Sequence, residues 1–250
     1  MTSSHSYRKR GLFVTGTDTG VGKTVVAAGL VRLARNAGIR AIAVKPMETG
    51  CQVRSGMLFP EDGAFLTEAS ENDLTLDECA PFRFSLPASP ARAAAMEGRS
   101  LNLSDVEEHI RALAEDADLT IVEGAGGLMV PIQGRLMMID LAERLGYSTL
   151  LVGRTRLGTI NHTLLSLNAL KERGMPIAGV VLACCESSQV GPEEEFTPDD
   201  LAYLADDVPV VALPFLTPTI RGDAGRIASI MAAAWPEMLV KRWIGLADSS

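Results

Sequence analysis

Val14-Thr15-Gly16-Thr17-Asp18-Thr19-Gly20-Val21-Gly22-Lys23-Thr24 is the stretch on which the fold turns. It follows a short apolar run, Gly11-Leu12-Phe13-Val14, and precedes a helical apolar pattern through Val25, Ala28, Leu30, Val31 and Leu33. Strand, glycine-bearing loop, Lys-Thr and helix together have the layout of a phosphate-binding P-loop. In such a loop successive backbone N–H groups surround phosphate oxygens, and the helix N-terminus adds positive potential. Lys23 is then expected to reach the β- and γ-phosphates, and the Thr24 hydroxyl to hold Mg2+. Counting back from Gly22, Thr17 occupies the usual first glycine position and Gly16 sits one residue further out, so the loop is wider than the common form.

Outward from this loop, strand-like apolar runs alternate with helical patterns. Strands are predicted at 11–15, 40–45, 118–123, 148–153, 177–183 and 208–213. Helices are predicted at 23–37, 61–69, 90–98, 103–115, 158–173, 198–206 and 223–234. That alternation implies an α/β fold, a mostly parallel sheet with helices on both faces. Ser104, with Glu107 three residues on, reads as the N-cap of its helix. Gly38 and Gly174 read as helix stops. Residues 1–10 read as a flexible basic tail around Arg8-Lys9-Arg10, and the polar, acidic segment 185–199 as a mobile surface loop. One domain is the expected count for 250 residues.

Composition narrows the partners. A net charge of −8 speaks against general nucleic-acid binding, which needs a basic surface. No apolar run has the length of a membrane span, and the N-terminus lacks the apolar core of a signal peptide, so a cytoplasmic location is expected. Cys51, Cys79, Cys184 and Cys185 lack zinc-type spacing and are expected to be reduced thiols. The three histidines are scattered, so no His-based metal centre is expected.

In open α/β sheets ligands gather beyond the C-terminal strand ends, and several predicted strands end in reactive residues. The second runs into Lys45-Pro46-Met47-Glu48-Thr49-Gly50. Lys45 is either a surface charge or a second cation over a transferring phosphoryl group. Asp62, in Pro60-Glu61-Asp62-Gly63, stands at a helix start, where an acid is commonly only a cap. The third strand runs into Glu123-Gly124-Ala125-Gly126-Gly127, an acid in the Walker-B place near Mg2+ followed by glycines that let backbone approach a ligand. After the fourth comes Leu157-Gly158-Thr159-Ile160-Asn161-His162, either an ordinary Thr-capped helix or a carboxylate site of free N–H groups.

Together these motifs resemble the dethiobiotin synthetases, the ATP-dependent enzymes of biotin synthesis. The resemblance runs from Phe13 to about Phe215 and rests on Gly16 to Thr24, Lys45 to Gly50, Val122 to Gly127 and Leu157 to His162. It implies conversion of ATP, CO2 and 7,8-diaminopelargonate to dethiobiotin, ADP and phosphate through a carbamate and a carbamic-phosphoric anhydride. It implies Mg2+ ligation by Thr24, Asp62 and Glu123, and phosphates wrapped by Gly20, Val21, Gly22, Lys23, Thr24 and Val25. Lys45 is the implied catalytic lysine, with Lys23 and Thr19 at the reacting centre; Glu123, Gly124, Ala125 and Gly126 adjoin the nucleotide. Thr49, Gly126 and Gly127, with the loop to Pro131, line the diamine's cleft. Members are homodimers with the substrate site at the subunit interface, and Gly158, Thr159, Ile160 and Asn161 of the other subunit hold the substrate carboxylate.

One departure stands out. The family often reads the adenine edge with an asparagine after the strand that matches Val180-Val181-Leu182, and this chain has Ala183 followed by Cys184. Pro214-Phe215-Leu216 still matches the turn that flanks the base. Weaker base selectivity is therefore expected, with phosphates and Mg2+ supplying most of the nucleotide affinity.

Other readings of the loop fit less well. A switch ATPase of the partitioning and positioning class carries a signature lysine five residues before the P-loop lysine; here that position is Asp18. A cobyrinic acid amide synthetase needs an additional glutaminase domain with a cysteine nucleophile, and none is expected within these 250 residues. In a simple P-loop kinase, Lys45 and Gly126-Gly127 have no evident role.

Overall fold

The computed structural model describes residues 10–184 and 197–246. The tail at 1–9 and the segment 185–196, with Cys185, lie outside the described residues.

In chain order the elements begin β1 (Arg10–Gly16), α1 (Lys23–Asn36), β2 (Ala41–Val44), β3 (Met47–Thr49), β4 (Gln52–Arg54) and β5 (Met57–Phe59). There follow α2 (Glu61–Ala69), α3 (Leu76–Cys79), β6 (Phe82–Phe84), α4 (Pro90–Met96), α5 (Leu103–Ala114) and β7 (Leu119–Gly127). Next come β8 (Pro131–Gln133), β9 (Leu136–Met137), α6 (Met138–Leu145), β10 (Ser148–Arg154), α7 (Thr159–Glu172) and β11 (Ile177–Ala183). The last are α8 (Thr197–Leu204), β12 (Val210–Leu213), α9 (Pro218–Arg221), α10 (Ala224–Ala234) and α11 (Glu237–Trp243).

Six strands form the main sheet in the order β12-β11-β10-β1-β7-β2, every neighbouring pair parallel. They are the six strands expected from the sequence. A parallel sheet must be covered on both faces, and the alternation along β1 does this residue by residue. Leu12 and Val14 pack with α1, α10 and α11, whereas Phe13 packs on the opposite face with α5 and α6. Fully burying side chains such as Phe13, Leu30 and Ile110 contributes about 1.5–3 kcal/mol each.

The structure adds short elements absent from the sequence reading: the β3–β6 pair, the β4–β5 and β8–β9 hairpins, and helices α3, α6, α9 and α11. The expected Ser104 cap is corrected. Asn102 is the N-cap of α5 and its side chain accepts from the Ser104 N–H at 3.0 Å, while Glu107 turns away to pair with Arg111. Two neighbouring residues could both cap, and the one with the extended backbone does so. Among the described residues, no helix is long and apolar enough to cross a membrane.

Candidate active site

The phosphate loop is built by β1 and α1. The Thr17 N–H donates to the Val152 carbonyl at 2.9 Å, tying the loop to β10. Gly22 is the N-cap of α1 with φ 99°, a left-handed conformation that glycine adopts without strain. It carries no side chain to cap the helix, and the first turn holds no acid. The first N–H groups of α1 are therefore left without a side-chain cap, the condition for binding an external anion. Gly127 abuts the loop from β7: a Cβ there would lie 2.9 Å from the Gly16 carbonyl oxygen.

Register then brings residues remote in sequence together. Val44 pairs with Val122 across the β2–β7 ladder, so the residues that follow, Lys45 and Glu123, meet at the same strand ends. Lys45 Nζ lies 3.0 Å from Glu123 Oε1 and forms a second ion pair with Asp62, which α2 brings in on its first turn. The Thr24 hydroxyl donates to Glu123 Oε1 at 2.9 Å. Lys23 Nζ reaches back to the Asp18 carbonyl at 3.2 Å. Lys23, Lys45 and Glu123 are all buried, at 6%, 7% and 1% exposure.

Burial sets the electrostatics. It pulls the Lys23 ammonium below its ordinary pKa, with Glu123 opposing and the Lys45 charge assisting. Burial also works against the Lys45 charge, but Glu123 and Asp62 outweigh it and hold that pKa above the ordinary value. The Asp62 carboxyl is likewise opposed by burial, yet Lys45 beside it holds it below the usual carboxylate range. Both lysines thus sit inside one network of fixed charge, aimed at the loop.

These groups line a cavity of about 560 Å3. Its walls include Thr19, Gly20, Gly22, Lys23, Thr24 and Val25 from the loop, with Lys45, Thr49, Asp62, Glu123, Ala125 and Gly126. Val130, from the expected loop between Gly127 and Pro131, also lines it, as do residues not singled out from the sequence: Met47, Glu48 and the turn Pro87-Ala88-Ser89-Pro90. Two prolines bracketing a Ser before an alanine-rich helix were a visible signal of a rigid wall there.

A divalent cation fits the donors present. Glu123 Oε2 is buried and has no hydrogen-bond partner among the described residues, an expensive state for a carboxylate oxygen without a ligand. Thr24, Asp62 and Glu123 offer hard oxygens, which suits Mg2+. Among the described residues no group of three or more His, Cys, Asp or Glu side chains is gathered as a metal cage. Mg2+ commonly uses one or two carboxylates and completes its shell with water and substrate phosphates.

The remaining expected residues lie elsewhere. Ala183 ends β11 opposite Leu213 and is 3% exposed, and the Cys184 N–H donates to the Leu213 carbonyl at 3.0 Å. Phe215 stacks under the Arg221 guanidinium, and Leu216 accepts from Arg221 Nε at 2.9 Å. The start of α7 has Gly158 as an uncapped N-cap, with Thr159 buried beneath it. Neither group lines the phosphate cavity. A larger cavity of about 800 Å3 opens at the opposite, N-terminal strand ends, among Arg10, Tyr147 and Trp243, remote from this chemistry.

Comparison with known proteins places this architecture. The family described as AAA domain matches residues 10–216. The chain is 44% identical over 228 residues to the ATP-dependent dethiobiotin synthetase BioD of Anaeromyxobacter dehalogenans (strain 2CP-C), covering 90% of this chain and 98% of the relative. The enzyme of the same name from Thermodesulfovibrio yellowstonii is 35% identical, with 88% and 95% covered. That of Pseudomonas aeruginosa (strain UCBPP-PA14) is 40% identical, with 80% and 86% covered. Solved structures similar in fold include a ParA family ATPase from Chlorobium tepidum TLS, with TM-score 0.54, 20% identity and 96% and 98% of the chains covered. The septum site-determining protein MinD complexed with Mg-ADP from Pyrococcus horikoshii OT3 gives TM-score 0.54 at 17% identity, with 95% and 93% covered.

Proposed function

The chain belongs to the ATP-dependent dethiobiotin synthetase family, and from that premise we propose that it carboxylates 7,8-diaminopelargonic acid and closes the ureido ring of dethiobiotin at the expense of ATP. The observation that carries this reading is the convergence of Lys23 and Lys45, both buried, on one cavity with Thr24, Asp62 and Glu123. The reaction has to bring two anions together, a carbamate and a triphosphate, and fixed cations in a water-poor site lower the cost of that encounter.

One amine of the substrate captures CO2 as a carbamate. The carbamate oxygen takes the γ-phosphoryl group of ATP to give a carbamic-phosphoric anhydride and ADP. The second amine attacks the anhydride carbon, closing the ring and expelling phosphate. The N–H groups from Gly20 to Val25 wrap the phosphates, Lys23 meets the β- and γ-oxygens, and Lys45 spans carbamate and γ-phosphate. Thr19 borders the reacting centre. Thr24, Asp62 and Glu123 would hold Mg2+, which supplies charge neutralisation on the phosphates when bound. Thr49, Gly126 and Gly127 border the diamine.

The carboxylate end of the substrate is assigned to Gly158–Asn161 of a second copy in a homodimer. Met129 and Leu165, 60% exposed each, flank one surface hollow behind the phosphate loop, and Leu157 at the start of α7 is 92% exposed. Large exposed apolar side chains sharing one hollow, as Met129 and Leu165 do, favour an interface. The enzyme is taken as a single cytoplasmic P-loop domain.

Phosphate release from ATP tests the proposal. Turnover should require both the diamine and bicarbonate, with dethiobiotin formed in equal amount. Steady ATP hydrolysis in the absence of both would instead indicate a switch ATPase, the reading that the ParA and MinD likeness in fold would favour. Asp18 speaks against that alternative: it stands where such proteins carry a lysine, and its carboxylate lies 3.7 Å from Arg154.

A further inference from the structure

Glu48 has a part in the site beyond lining it. It lies in the middle of β3, buried at 6% exposure. Its Oε1 accepts the Asp62 N–H at 3.1 Å and its Oε2 accepts the Gly63 N–H at 2.9 Å. These are the second and third amides of α2, groups that a helix leaves without an internal partner. The N-cap of α2 is Pro60, whose ring offers no acceptor. The two acids of the first turn point elsewhere, Glu61 to Arg54 and Asp62 to Lys45. The cap therefore comes from another element, 14 and 15 residues upstream.

Asp62 is consequently held at both ends by the segment that follows β2. Glu48 holds its backbone N–H, and Lys45, three residues earlier, holds its carboxylate. The same turn packs closely on Ala80, since a Cβ added to Gly63 would lie 2.7 Å from the Ala80 Cβ and 3.5 Å from Glu48 Oε2. Glu48 is itself fixed: its carbonyl accepts from Cys51 Sγ at 3.5 Å, and the flanking residues of β3 pair with β6. A buried carboxylate with both oxygens on backbone N–H groups of one helix turn is a rigid bracket, and such charge-assisted bonds are strong.

We infer that Glu48 is a positioning residue that sets the reach of Asp62 toward the divalent cation. This rests on Asp62 being a Mg2+ ligand. Partners that orient metal ligands typically change metal affinity by about 10- to 100-fold when removed, whereas a plain helix cap changes only stability.

The test measures Mn2+ affinity in the presence of ADP by electron paramagnetic resonance, with the Mg2+ dependence of turnover alongside. The proteins are wild type, Glu48→Ala, Glu48→Gln, Asp62→Asn and the double variant Glu48→Ala/Asp62→Asn. Asp62→Asn and Glu48→Ala should each weaken Mn2+ binding by about tenfold, and the double variant should be no weaker than Asp62→Asn alone. Glu48→Gln keeps the size and one acceptor; it should show a smaller loss, and it answers the question should Glu48→Ala not fold. A Glu48 variant that melts earlier yet binds Mn2+ as wild type does, or one whose loss adds fully to that of Asp62→Asn, overturns the inference. Unchanged Mn2+ affinity in Asp62→Asn instead overturns the ligand reading beneath it.

Discussion

The two halves of the main sheet handle polarity in opposite ways. Around β1, β7 and β2 the interior carries Lys23, Lys45, Glu48 and Glu123, the buried charged side chains among the described residues. Around β10, β11 and β12 the buried polar side chains are hydroxyls: Thr149 on β10, and Thr159 and Thr163 on α7. An isolated buried charge costs several kcal/mol, and a network of fixed opposite charges is tolerated where transition-state charge develops. The first half is thus the half to which the proposed chemistry on phosphate is assigned. The second buries no charged side chain among the described residues, and the methyl group of Ala183 at its strand end carries no hydrogen-bonding atom.

The most severe way to break this contrast is to remove a cation from the charged half. Lys45→Ala should lower kcat by about 10^3-fold or more, and Lys23→Ala should do comparable damage. Single-turnover phosphate formation reads the chemical step directly, and near wild-type rates for Lys45→Ala would remove that lysine from the mechanism. Lys45→Ala should also cost stability by about 3 kcal/mol, because it leaves Glu123 buried beside an unneutralised Asp62; denaturant unfolding measures this.

Removing a ligand from the same half is expected to be milder. Glu123→Gln should raise the Mg2+ concentration for half-activity by about tenfold or more while leaving the KM for the diamine nearly unchanged, since it weakens cation binding and not the substrate cleft. An unchanged Mg2+ dependence would show that the carboxylate serves only as the Lys45 counter-ion.

At the edge of the second half, Leu165→Asp places a charge in the exposed apolar patch. Sedimentation should shift toward monomer, with the KM for the diamine rising by about tenfold if α7 of a second copy completes the substrate site. A dimer that survives with normal KM moves the interface elsewhere.

The smallest effect belongs to the base end. ATP, GTP and CTP should serve as phosphoryl donors within about tenfold of one another in kcat/KM, about 1.4 kcal/mol. Ala183→Asn should widen the preference for ATP by a few-fold. A hundredfold preference already present in the wild type would assign base reading to backbone groups near Cys184 and Pro214.

The frame of the protein was legible because periodicity is local. Six apolar runs became the six strands of the main sheet, and the long helices fell within a few residues of their expected bounds. The missed pieces are mostly short. Strands of two or three residues such as β3, β4 and β9 carry too little pattern to read, and they exist because a partner strand is beside them. Helix α6 is the exception: Met138–Leu145 has one apolar face and a Gly146 stop, signals that were there to be read. At the site the pattern is similar. The phosphate loop declares itself in eleven consecutive residues, whereas Asp62 looks from its neighbours like an ordinary cap and Glu48 like a solvated acid.

What the sequence determined by itself is the phosphate loop, the alternation of strand and helix, and the residue types offered at each strand end. Those follow from contacts within a few residues, where backbone geometry and side-chain period settle the outcome. The family resemblance implied that Lys45, Asp62 and Glu123 share a site, but only the tertiary structure decided that Lys45 pairs with both carboxylates and that Glu48 caps a helix it does not belong to. The Val44–Val122 register brings together residues 78 apart in the chain, and the packing of α2 against β3 turns a carboxylate toward two amides that local sequence had left without a partner. Strand order and helix packing are set by burial over the whole sheet, so no window along the chain could have shown them.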